Sequence, residues 1–140
     1  MILTRQPAPL DGTIRLMFPK GNAPRKLLQA ALLQVTAHES YGFSVGDDLI
    51  CAFGFWPVGD DDGVPVHEFW LAIGQLAVPH LKALARLSRL ALARLTQVEP
   101  VVVRALVRQG HAPGGRLARL AGLAFAGIVD GFEIWEIRHG

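Results

Sequence analysis
The sequence predicts an α/β fold: a single mixed sheet of about seven strands with helices on both faces. Three observations carry this expectation. After a first strand and helix, three strand-like runs joined by turns are followed by strand–helix–strand crossovers, an order that needs both antiparallel and parallel pairing. The segment PVVVRALV (Pro100–Val107) is rich in β-branched residues, as suits a strand buried on both faces. Pro79 opens a long stretch of helical periodicity that ends near Thr96. The length of 140 residues is one domain's worth, so residues 1–140 are read as a single domain.

Each element has a local reason. Thr13–Phe18 (TIRLMF) alternates apolar and polar residues and reads as a strand. Pro24–His38 repeats Leu27, Leu28, Ala31, Leu32 and Val35 at helical spacing, which predicts one buried stripe. SYGFSV and LICAFGFWPV are strands joined by the tight turn Gly46-Asp47-Asp48. Gly59–Gly63 (GDDDG) is a second hairpin tip; its acids lack the spacing of a calcium loop and read as a solvated turn. His67–Gly74 (HEFWLAIG) is the third strand of this meander. In the long helix, Leu81, Leu84, Ala85, Ser88, Ala91, Leu92 and Leu95 fall on one arc and should face the sheet. A short helix over Gly114–Ala121 and two strands, Phe125–Val129 and Glu133–Arg138, complete the order. Val101–Val107 is expected as an interior strand parallel to His67–Ile73, the two parting at their C-terminal ends.

Composition narrows the function classes. The chain is 51% hydrophobic and 19% charged, which places it among globular domains. Its one cysteine, Cys51, sits in an apolar run and reads as a buried structural thiol. No apolar run reaches the length of a membrane span, and no export signal opens the chain, so a soluble cytoplasmic protein is expected. Between His80 and Leu120 stand eight lysines and arginines against one acid, Glu99. Such a basic half suits a phosphate or simply solvated helix faces. Missing aromatic interleaving argues against nucleic acid as its partner. No metal site is expected.

Val107–Gly127 (VRQGHAPGGRLARLAGLAFAG) and the order of elements resemble the GNAT superfamily of N-acyltransferases over nearly the whole chain. The family's strand commonly ends at an Asn, a Tyr-bearing helix follows, and Gly-Phe leads into the next strand. Counting back from Gly122, His111 stands for the Asn, Ala118 for the Tyr and Leu123 for the Phe. The Tyr commonly protonates the coenzyme A thiolate; Ala118 has no proton to give, and the only tyrosine is Tyr41. His111 is the candidate substitute acid, with a plain loop histidine as the alternative. Glu68 stands where these enzymes often carry an acid and is the candidate base.

The resemblance also implies a glycine-rich pyrophosphate loop after the fourth strand. Here that segment is GQLAVPHLK (Gly74–Lys82). Gly74, Gln75, His80 and Lys82 are the candidate cofactor contacts, but Leu76, Ala77 and Val78 crowd the backbone and Pro79 removes a donor. The segments FGFWPV and VHEFWLAI, the loop without the glycine triplet and the Arg-studded helix are similar to short GNAT-like proteins of tailed phages and prophages. That likeness implies a role in virion structure or assembly through other protein chains, in the host cytoplasm or in the virion, with no cofactor required. Leu87 and Leu90, rimmed by Arg86 and Arg94, are the candidate contact surface. The alternative is an active N-acyltransferase using acetyl-CoA or another acyl-CoA.

Overall fold
The computed structural model describes residues 2–21, 24–36, 38–97 and 100–139. Its elements are β1 (Leu3–Arg5), α1 (Leu10–Met17), α2 (Arg25–Thr36), β2 (Ser40–Val45), β3 (Asp48–Asp61) and β4 (Val64–Ile73). A 3-10 helix (Gln75–His80) leads into α3 (Leu81–Thr96), followed by β5 (Val101–Arg108), α4 (Ala112–Leu120), β6 (Ala124–Val129) and β7 (Phe132–His139). The strands form one seven-stranded sheet in the order β1-β2-β3-β4-β5-β7-β6. β4 and β5 are parallel, as expected for segments joined by a crossover helix. Their ladder holds Val66↔Val102, His67↔Val103 and Glu68↔Arg104. The pairs β1–β2, β2–β3, β5–β7 and β6–β7 are antiparallel. The sheet is therefore mixed.

Two compact units are distinguished along the chain, and β3 and β4 each contribute residues to both. One comprises Met1–Trp56 and Trp70–Ala77; the other comprises Pro57–Phe69 and Val78–Gly140.

In the first unit, Ala8, Val35, Ala52 and Trp70 form a core against which Leu10, Met17 and Trp56 pack. Ser40, wholly buried, donates to the Val35 carbonyl at 3.0 Å and accepts from the Ala8 amide at 3.0 Å. These two hydrogen bonds tie the end of α2 to the segment before α1 and satisfy the Val35 carbonyl and the Ala8 amide. Trp70 lies against Gly54, where an added Cβ would come within 2.6 Å of the indole nitrogen. That indole N–H is buried without a hydrogen-bond partner.

Two expectations for this unit are corrected. Thr13–Phe18 is not a strand; residues Leu10–Met17 are α1. Leu10 and Met17, seven residues apart, recur after two helical turns and both pack on the core, a period the short alternation concealed. The strand lies earlier, at Leu3–Arg5, paired with β2. In α2 the buried residues are Ala31 and Val35, while Leu27 is 55% and Leu32 36% exposed. The predicted five-residue stripe is narrower because this helix packs along its alanine-bearing edge.

The second unit follows the sequence closely. α3 buries Leu81, Leu84, Ala85, Ser88, Ala91 and Leu92, with Leu95 half-buried. Burying an aliphatic side chain of this size contributes about 1.5–3 kcal/mol. Ser88 is tolerated inside because its hydroxyl donates to the Leu84 carbonyl at 2.9 Å. In β5, Val101, Val102 and Val103 are all buried, whereas Leu106 is 44% exposed. Burial on both faces thus holds for the first half of the strand only. α4 lies against β5, β6 and β7. Trp135 is buried, and the Arg119 guanidinium sits 5.8 Å from its ring centroid.

Candidate functional site
The parallel ladder sets the position of Glu68. Its register partner is Arg104, and paired residues on adjacent strands project from the same face. Arg104 is in turn paired with Glu136 across β5–β7. The Arg104 Nε donates to Glu136 Oε2 at 3.2 Å. Arg138, two residues along β7, donates from Nε to Glu136 Oε1 at 3.3 Å and from Nη2 to Asp61 Oδ2 at 2.8 Å. A row of alternating charge therefore crosses one sheet face. It borders a cleft of about 700 Å³ whose walls include Val58, Leu106, Val129 and Ile134.

Glu68 is half-buried in that cleft, and burial pushes its carboxyl above the ordinary glutamate range. Among the described residues it forms no ion pair, although Arg104 is its neighbour in register. A carboxylate of raised basicity beside an open cleft has the character of a proton acceptor.

His111 is placed elsewhere. It is the N-cap of α4, where its Nδ1 accepts from the Gly114 amide at 3.1 Å. It borders a smaller depression with Gly115, Arg119, Glu133 and Trp135. Glu133 and Trp135 alternate along β7 with Ile134 and Glu136, so His111 and Glu68 serve opposite faces of the sheet. The structure does not bring the two candidate catalytic residues together. Ala118 is buried in α4, and Tyr41 stands on β2 opposite Phe53, its phenol pushed up by burial.

The candidate cofactor segment spans the boundary between the two units. On its first side, the Gly74 amide donates to the Ile50 carbonyl at 3.0 Å and the Ala77 amide to the Gly74 carbonyl at 3.1 Å. A Cβ at Gly74 would meet Leu16 at 3.0 Å, so this glycine serves packing within its own unit. Gln75 is exposed, and Leu76 is 60% exposed. On the second side, Pro79 lies inside the 3-10 helix without an N–H. His80 is the N-cap of α3 without a capping side-chain bond, and Lys82 is exposed. A pyrophosphate cradle needs several uncommitted amides aimed at one point. Two amides here are committed to carbonyls and a third position has none.

On α3, Leu90 is 65% exposed between Arg86 and Arg94, which stand one turn before and after it on the same row. Leu87 is half-buried, so only Leu90 of the two leucines stands fully off the core arc. The acidic hairpin tip is a turn: the Gly63 amide donates to Asp60 Oδ2 at 3.2 Å, and Asp62 and Gly63 have positive φ. No group of His, Cys, Asp or Glu among the described residues is placed to hold a metal ion. None of the described helices is long and apolar enough to cross a membrane.

Arg104, Glu136 and Arg138 were not singled out from the sequence. A signal existed: one arginine interrupts an otherwise apolar strand, and a charge at a position read as buried calls for a partner.

Comparison with solved structures gives the fold a family context. The chain resembles PaiA N-acetyltransferase from Thermoplasma acidophilum, in complex with coenzyme A, at 11% identity and TM-score 0.64 over 99% of each chain. It resembles Ard1 from Thermoplasma volcanium at 11% identity and TM-score 0.65, over 99% of this chain and 97% of that one. An acetyltransferase of the GNAT family from Streptococcus pneumoniae matches at 10% identity and TM-score 0.55 over 100% of both. No family model and no curated protein matches the sequence. At these identities the likeness establishes the fold, and the fold is that of the GNAT acetyltransferases.

Proposed function
We propose that this is a GNAT-fold protein of the phage or prophage kind, with coenzyme A chemistry reduced or absent. It acts through protein contacts in virion structure or assembly, in the host cytoplasm or in the particle. The observation that carries this reading is the segment after β4, where the amides of Gly74 and Ala77 are spent on carbonyls and Pro79 has none to offer. The exposed Leu90 with Arg86 and Arg94 beside it supports the contact role, since an apolar centre with an arginine rim suits an interface. Calorimetric titration with acetyl-CoA tests the first half. No saturable binding is expected in the micromolar range; a micromolar Kd, worth about −8 kcal/mol, would overturn it.

A second reading, an acyl-CoA-dependent N-acyltransferase, is favoured by one observation: Glu68 is a half-buried acid at a cleft, without an ion-pair partner among the described residues. In that reading Glu68 is the base that takes a proton from an acceptor amine. Glu68→Gln should then lower turnover by roughly 10²–10⁴ while leaving acyl-CoA affinity unchanged. An unchanged rate excludes Glu68 from this role.

A further inference from the structure
The Glu68 face holds two charged groups whose own partners leave them incomplete. The Arg104 guanidinium meets Glu136 through Nε alone, and its two terminal nitrogens make no hydrogen bond among the described residues. The Glu68 carboxylate, one strand away, makes no ion pair there. Adjacent strands lie about 4.8 Å apart. A carboxylate and the donor end of a guanidinium thus border one cleft without neutralising each other. The rest of the cleft wall includes the apolar Leu106, Val129 and Ile134. At about 700 Å³ the space is of the size that holds small organic ligands.

This pairing of charges selects by exclusion. A simple anion drawn to Arg104 would face repulsion from Glu68 and Glu136. A simple cation drawn to Glu68 would face Arg104 and Arg138. A molecule carrying both charges one carbon apart satisfies both groups at once, and an apolar body covers the wall. We infer that the cleft binds an α-amino acid with an apolar side chain. Its ammonium meets Glu68, its carboxylate takes the terminal nitrogens of Arg104 as a two-point contact, and its side chain lies along Leu106 and Ile134. The inference rests on the second reading, whose acceptor amine would be the ammonium seated on Glu68. Binding is tested without acyl transfer, so an inactive protein that still binds the amino acid overturns that reading alone.

Titration of the full chain, followed by nuclear magnetic resonance shifts or thermal shift, tests it without any acyl-CoA present. The probes are L-leucine, L-phenylalanine, leucinamide and N-acetyl-leucine. At least one of the two amino acids should saturate the protein. Leucinamide, lacking the carboxylate, and N-acetyl-leucine, lacking the ammonium, should each bind about tenfold more weakly or worse. Arg104→Gln should bring leucine down to the level of leucinamide, and Glu68→Gln should bring it down to that of N-acetyl-leucine. Arg104→Lys keeps the charge toward Glu136 and should retain part of the preference, which separates recognition from a folding defect. The wild-type comparison decides the matter even if a variant fails to fold. If neither amino acid binds at about 10 mM, well above the roughly 1 mM Kd of a weak site, the inference is overturned. Leucinamide binding as tightly as leucine overturns it equally.

Discussion
Glu68 and Gly54 show how single positions constrain this protein. Burial raises the Glu68 carboxyl above its unfolded value, so between those two values the folded state holds more protons than the unfolded one. Stability contributed by the protonated acid is therefore present below the unfolded pKa and falls as pH rises through the folded one. Glu68→Gln removes that decline. Urea unfolding at acidic and neutral pH should show the variant gaining on the wild type as pH rises; an equal difference at both would contradict the assignment. At Gly54 the restriction is steric. A Cβ would lie 2.5 Å from the Glu39 carbonyl oxygen and 2.6 Å from Trp70 Nε1, both in the first unit. Backbone cannot yield as a flexible side chain does, so Gly54→Ala should destabilise by about 1–3 kcal/mol in denaturant unfolding. Glu68 was singled out by the family resemblance, whereas the reason Gly54 must be glycine was not legible in the sequence. That reason lies in Glu39 and Trp70, which only the fold brings to it.

At the scale of elements, the long arc of α3 was readable and the short run Thr13–Phe18 was not. The arc of α3 spans four turns, and its six buried residues are among the seven that the spacing selects. TIRLMF offers six residues, too few to separate a period of two from one of 3.6. The charged row on the Glu68 face escaped for another reason: Arg104 and Glu136 are 32 residues apart, and only the β5–β7 register aligns them. The outer face of α3 yields an expectation of its own. Leu90→Glu touches a side chain that is mostly in solvent, so stability should change by less than about 0.5 kcal/mol. If this face is the contact surface, the same change abolishes co-assembly or self-association, as light scattering would record. Leu87→Glu, which alters a half-buried position, should destabilise as well. Normal assembly of the Leu90 variant would remove this surface from consideration.

The whole molecule is legible as a strand–helix order with a crossover, and that order led to the GNAT sheet. What the order does not reveal is the division into units, because β3 and β4 each contribute residues to both. A piece comprising residues 78–140 lacks Val66–Glu68, the parallel partners of β5, and Asp61, the partner of Arg138. It should be unfolded by circular dichroism, and a folded spectrum would show that the parallel ladder is dispensable. The same interleaving bears on synthesis at the ribosome. The first unit has all its residues once Ala77 has been added, whereas Pro57–Phe69 must wait for β5. At roughly 5–20 residues per second, that wait is on the order of seconds. Val66, buried in the finished protein, spends it without its ladder partner Val102 on the growing chain. A chaperone that binds short apolar stretches would find its target there, midway through translation rather than after release.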